Sequence, residues 1–398
     1  MDPFLALMTV IAALIHFEQV YGNDSFFNHK DWPSFHVHQM LHMMGREMKN
    51  GQPHSRTCDS NPVNDMNVVE FIRHHGYPAE EHVIKTDDGY ILTMHRIPGN
   101  KTSRVVLLQH PLIASSYVWV SSGKHKALAF LLADKGYDVW MGNVRGNTYS
   151  KNHTIYSELD KEFWNFSWHE MAIYDLPAEI QYITSMRKKR LTYVGHSMGT
   201  TVFFAMASER PDIAAKVEAM FALAPAVYND ALIGSLRLLE PLLRDLVANR
   251  EHMDGKFEFL GNHPLVKYIG RCVCNRPGLR EICETLIFSV IGYPPQQFNR
   301  EFRHFNYGPQ ENLRLYNSRV PPKYDLSKIQ VPIGLFYGDN DFISVPKNVA
   351  RLYEEIPNKI GSIRVEHAHF NHIDFLWGID APKLVYRRLI ELIDRYHH

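Results

Sequence analysis

Residues 195–199 read Gly195-His196-Ser197-Met198-Gly199, a G-x-S-x-G pattern that sets a serine hydroxyl between two glycines. A serine hydroxyl is a weak nucleophile near neutral pH, so chemistry there requires a histidine to take its proton and an acid to orient that histidine. Five residues alone specify little, but their context specifies more. The run LTYVG (191–195) reads as a strand entering the motif, and residues 200–208 read as a helix leaving it. Strand, tight turn and helix are what a nucleophile elbow requires: the turn lifts Ser197 Oγ above the sheet edge, and side chains at 195 and 199 would collide with the neighbouring helix and strand.

In such an arrangement the acid and the histidine follow the serine in that order, each beyond a later strand. VPIGLFYG (331–338) is followed by Asp339-Asn340-Asp341, and IRVEH (363–367) runs into His367-Ala368-His369-Phe370-Asn371-His372. Asp339 and Asp341 compete for one place, and His367, His369 and His372 for the other; strand logic alone does not separate them. An oxyanion needs two preorganised backbone N–H groups, one from Met198 and one from the loop after VVLLQ (105–109). That loop reads His110-Pro111-Leu112, and because Pro111 has no N–H, Leu112 is the candidate donor. This chemistry requires no cofactor. No metal site is expected either, since only Cys272 and Cys274 are tightly spaced and no matching pair follows.

The elements that must position these residues alternate. After a short helix ending at Gly76 and a hairpin about Asp87-Asp88-Gly89, strands at 105–109, 137–143, 191–195 and 219–225 alternate with helices at 126–135, 172–187 and after the motif. That rhythm predicts an α/β fold with a mostly parallel central sheet and crossover helices on both faces. It breaks between about 229 and 328, where amphipathic helical text and a Pro-rich stretch sit together, and resumes with the strands at 331–338 and 363–367 and a helix from Ala381. The expected organisation is a core over 61–228 and 329–398, interrupted by a mainly helical cap over 229–328.

At 398 residues the chain can bury a sizeable core, and 43 Lys plus Arg balance 43 Asp plus Glu, so nucleic acid is not an expected partner. The 23 His would make the chain cationic in an acidic compartment. Residues 4–15 form an apolar run too short to span a membrane and followed by Tyr21-Gly22, which predicts a secretory signal peptide over 1–22. Residues 23–60 then read as a polar arm or pro-segment. Sequons at Asn23, Asn100, Asn152 and Asn165 are candidate N-glycosylation sites on the same route. Four cysteines, Cys58, Cys272, Cys274 and Cys283, allow three pairings, and a short local bridge is expected in an oxidising compartment.

From about residue 61 the chain resembles the acid lipase family of α/β-hydrolases, the group of gastric and lysosomal lipases with their insect relatives. The shared text includes LAFLLADKGYDVWMGNVRGNTYS, EFWNFSWHEMAIYDLPAEI, YVGHSMGTT, FALAP and NHIDFLWGIDAP. The resemblance implies an α/β-hydrolase fold and a triad of Ser197, Asp341 and His372, with oxyanion N–H groups from Leu112 and Met198 and a disulfide between Cys274 and Cys283. It implies a serine lipase, secreted or in the lysosome lumen, that cleaves fatty-acid esters of the triacylglycerol or cholesteryl type at an oil–water or membrane surface. No cofactor and no obligate protein partner follow from it. A carboxylesterase for smaller esters, or a non-catalytic lipid-binding protein on the same fold, are the alternatives. Three departures are visible: His110-Pro111-Leu112 replaces a His-Gly-Leu, Met198 replaces a glutamine, and the cap is shortened before His304. Proline cannot take up the positive φ open to glycine, so an altered oxyanion loop is expected.

Overall fold

The chain divides into a unit of residues 1–59 and one of residues 60–398. A computed structural model describes residues 66–228 and 301–396, all of them in the second unit. The expected signal peptide, the polar arm, Asn23, all four cysteines and residues 229–300 of the expected cap lie outside the described residues.

The first helix, α1 (Val68–His74), starts where a polar side chain can satisfy its free N–H groups. Asn67 Oδ1 accepts from the N–H of Glu70, and Glu70 Oε2 accepts from the N–H of Asn67, both at 2.9 Å. The hairpin follows as β1 (Glu80–Lys85) and β2 (Tyr90–Ile97), with Gly89 at φ +102° in its turn, a conformation that a side chain would strain. Then come β3 (Val105–Gln109), α2 (Leu128–Asp134), β4 (Asp138–Met141), the short β5 (Asn152–His153), α3 (Leu176–Arg187), β6 (Leu191–His196), α4 (Met198–Glu209) and β7 (Val217–Leu223). After the interruption come α5 (Pro309–Tyr316), β8 (Ile333–Tyr337), α6 (Pro346–Glu355), β9 (Lys359–Arg364) and α7 (Arg387–Arg395).

The strands form one sheet in the order β1-β2-β4-β3-β6-β7-β8-β9, with β5 paired to β2. The β1–β2 and β2–β4 pairs are antiparallel, and every pair from β4 to β9 is parallel. All five residues of β3 and all six of β6 are buried, as strands covered on both faces must be. Alternate residues serve opposite layers. Leu107, Tyr193 and Met220 pack with Ile180 of α3, Val202 of α4 and Leu352 of α6. Leu108, Val194 and Phe221 pack with Ile72 of α1, Leu132 of α2 and Leu389 of α7. The sheet is therefore the middle of three layers.

Two expected boundaries move. The helix expected at 172–187 begins earlier, with Ser167 and Glu170 forming a capping box for Trp168–Glu170, and widens into a π-turn over Met171–Asp175 just before Pro177, which has no N–H to donate. The strand expected at 363–367 lies instead at Lys359–Arg364. This is the sheet edge, half exposed along its length, so its apolar signal is weak.

Candidate active site

The parallel strands end on one side of the sheet, and Ser197 sits in the turn between β6 and α4. Its backbone is at φ +52°, ψ −117°, a left-handed conformation for a residue with a side chain. The surroundings hold it there. Its N–H donates to Leu223 O on β7, and its carbonyl accepts from the N–H and the hydroxyl of Thr200 at 2.8 and 2.6 Å. Both motif glycines are needed for space: a Cβ on Gly195 would stand 2.8 Å from the backbone of Gly199, and one on Gly199 would stand 2.5 Å from Gln109 O.

The competing acids and histidines differ in placement. Asp339 is exposed and accepts from Arg364 Nε at 2.8 Å, and His367 and His369 are exposed. Asp341 and His372 are buried, at 3% and 4% exposure, with His372 Nδ1–H donating to Asp341 Oδ2 at 2.8 Å. The other carboxylate oxygen accepts the N–H groups of Ile343 and Ser344 at 2.9 and 2.7 Å, which fixes the plane of the carboxyl group. With Nδ1 committed as a donor, Nε2 is the basic nitrogen of His372, and it is buried without a partner among the described residues. His372 is brought beside the motif through His196, whose Nε2–H donates to His372 O at 2.9 Å.

Met198 lies in the first turn of α4, where backbone N–H groups have no intrahelical acceptor. Leu112 packs against the same apolar cluster that contains Met198. The left-handed residue of the loop is Ile113, at φ +55°, and Pro111 does not have a positive φ. The loop is braced from beneath: His110 Nδ1–H donates to Pro111 O at 2.7 Å, while His110 Nε2 accepts from Val144 N–H at 3.3 Å and Asn147 Nδ2 at 3.1 Å. Asn147 Nδ2 also donates to Asn143 Oδ1, which accepts Ser116 N–H. Burial pushes His110 down to about 4, so this donor–acceptor pattern persists in mild acid.

Sequence reasoning overlooked three of these participants. His196 was an unspecified position of the motif, and the only available signal was its place next to the nucleophile. The side chains of Gln109 and Glu179 meet beside Gly142 at the end of β4, where the Gln109 amide atoms and Glu179 Oε2 have no partner among the described residues. Burial, with Asp175 nearby, holds Glu179 well above the usual carboxylate range. The histidine count also needs correction as a guide to charge, since burial pushes His95, His110 and His304 to about 4 and lowers His169 and His196. No group of three or more potential metal ligands occurs among the described residues.

A strand-turn-helix serine, a buried Asp–His pair beyond β8 and β9 and a mostly parallel sheet define an α/β-hydrolase. Residues 68–123 match the family model described as a partial alpha/beta-hydrolase lipase region, and residues 104–251 match that of the alpha/beta hydrolase fold. The chain is 36% identical over 374 residues to the gastric triacylglycerol lipase of Rattus norvegicus, covering 84% of this chain and 93% of that one. It is 34% identical over 378 residues to the lysosomal acid lipase/cholesteryl ester hydrolase of Macaca fascicularis, covering 84% and 92%. Among solved structures, that of DcsB in complex with its substrate analogue superposes with a TM-score of 0.50 at 15% identity, over 80% of this chain and 99% of that one, a likeness of fold alone. This chain belongs to the acid lipase family of α/β-hydrolases, with the gastric and lysosomal lipases.

Proposed function

We propose that the protein is a serine lipase that hydrolyses carboxylic esters of fatty acids, of the triacylglycerol or cholesteryl ester type, at a lipid–water surface. The observation that carries this reading is the buried Asp341–His372 pair, whose free Nε2 belongs to a histidine tied to the residue preceding Ser197. Ser197 Oγ attacks the ester carbonyl carbon while His372 Nε2 takes its proton. Asp341 keeps the proton of Nδ1 in place and supports the imidazolium. The N–H groups of Met198 and Leu112 bind the oxyanion, and its collapse expels the alcohol, which leaves with the proton from Nε2. Water then attacks the acyl-serine by the same route, releasing the fatty acid and restoring Ser197. Gastric and lysosomal relatives support a secreted or lysosomal location. Asn100, Asn152 and Asn165 are exposed and have room for glycans.

The test is fluorophosphonate labelling of the glycoprotein and of Ser197→Ala at pH 5 and 7.5, followed by hydrolysis of a triolein emulsion and of p-nitrophenyl acetate. Labelling confined to the unaltered protein, with faster turnover of triolein, is expected. Turnover of the acetate alone would make it an esterase for small substrates, and a folded protein that labels at neither pH would leave a lipid-binding role.

A further inference from the structure

His196 is 1% exposed. Its Nε2–H donates to the backbone oxygen of His372 at 2.9 Å, and the two rings lie 4.8 Å apart, with Phe375 6.1 Å away on the same ring. A carbonyl can only accept, so the proton sits on Nε2, and Nδ1 is left without a partner among the described residues. Burial and the neighbouring His372 both keep His196 well below the ordinary histidine range. It stays neutral while the imidazole beside it gains a proton.

His372 stands in a loop between the end of β9 at Arg364 and the short helix Asp374–Trp377. Other ties of this loop run within it or to the turn after β8: Asn371 accepts from the N–H groups of Ile373 and Asp374, Asn340 Nδ2 donates to His369 O, and His372 Nδ1 reaches Asp341. Among the described residues, the bond from His196 joins residues 366–373 to the nucleophile strand. We infer that His196 is a positioning residue for the general base: it fixes the peptide of His372 relative to the strand end that carries Ser197, and so sets the line from Nε2 to Oγ. The inference rests on the reading of Ser197 and His372 as nucleophile and base.

Two variants separate the hydrogen bond from simple filling of space. His196→Phe keeps the ring and removes the donor, and His196→Gln keeps an N–H near the place of Nε2. With p-nitrophenyl butyrate, His196→Phe should lower kcat about 10- to 100-fold, the scale of a misplacement near 1 Å, with KM within about twofold. His196→Gln should recover most of that loss. A kcat equal to the unaltered protein in His196→Phe, or no recovery in His196→Gln at equal Tm, would overturn the inference. Imidazole 15N spectra of the unaltered protein provide a check that needs no variant. They should show His196 as the neutral Nε2–H tautomer at pH 5 and 7.5, and an Nδ1–H tautomer or a titrating ring would equally sink the idea. His372→Ala in the same series isolates the underlying reading: fluorophosphonate labelling at the unaltered rate would mean that the triad assignment, rather than the role of His196, is wrong.

Discussion

Gly199 lies against Gln109: the carbonyl oxygen that ends β3 stands 2.5 Å from where a Cβ on Gly199 would be. The first turn of α4 is thereby pressed onto the strand that leads to the oxyanion loop. Gly199→Ala must push the helix start or the strand end aside, at a cost of about 1–3 kcal/mol from overpacking. Because the proposed oxyanion donors, Met198 and Leu112, follow those two pieces of backbone, the same variant should slow fluorophosphonate labelling by about 100-fold. Stopped-flow labelling and a melting curve test both statements, and a variant that labels at the normal rate contradicts the argument.

Glu179 offers a second test. It is buried without an ion pair among the described residues, and burial, with the charge of Asp175, holds its pKa well above the ordinary 4.5. The native state therefore keeps a proton that the unfolded chain releases, so this residue's contribution is fully present below pH ~4.5 and is lost as pH rises from there toward the folded pKa. Glu179→Gln removes that dependence. The stability of the variant relative to the unaltered protein should rise steadily between pH 4.5 and 8 in urea titrations. A difference that stays constant with pH would show Glu179 to be ionised in the fold.

Arg145 is 2% exposed and bridges two parts of the core. Its guanidinium meets Asp175, which is fully buried before α3, at 2.7 Å and Asp88 of the hairpin turn at 2.6 Å. Burial, with a smaller push from Asp88, raises Asp175, and Arg145 opposes that rise. Removing the cation leaves an unpaired buried carboxylate, so Arg145→Met should destabilise by about 3–5 kcal/mol, whereas Arg145→Met with Asp175→Leu should recover much of that loss. A double-mutant cycle read by chemical denaturation decides it.

How far the site could be read from sequence depends on what each residue does. Ser197 was legible because a nucleophile on a tight turn needs glycines at fixed places, and Gly195 and Gly199 supply them. Asp341 and His372 were not separable from Asp339, His367 and His369 by strand logic, because what distinguishes them is burial across the sheet: Asp339 pairs with Arg364 in solvent while Asp341 faces His372. The family text pointed to a choice that periodicity could not make. The central strands were legible from runs buried on both faces, such as VVLLQ, while β9 was misplaced because an edge strand needs no such run. Glu179 carried no local signal and His196 only its place beside Ser197, since their environments are made by chain segments far away in sequence.

Acid should weaken one seam in particular. His304 stacks on Tyr324 with centroids 4.3 Å apart and lies 4.6 Å from the ring of His169, which bonds to Tyr324 OH. Glu209 Oε1 is 3.4 Å from His304 Nε2, yet burial outweighs the charge of Glu170 and pushes His304 down to about 4. The unfolded chain takes up a proton below about 6.5 while the folded one waits until about 4, so this contribution is present above pH 6.5 and is lost as pH falls through that window. His304→Phe should therefore flatten the fall of Tm between pH 7 and 4.5. An unchanged slope would place the acid sensitivity elsewhere.

Strands β7 and β8 are hydrogen-bonded neighbours, with Leu223 opposite Phe336, although the whole interruption of the α/β rhythm lies between them. The entropy of closing such a loop grows only with the logarithm of its length, so doubling it costs about 0.6 kcal/mol more. Descendants of this sequence are thus free to lengthen, trim or replace what lies between the two strands at almost no thermodynamic expense to the sheet. Evolution can redraw the text between these strands while the pairing of β7 with β8 stays as it is.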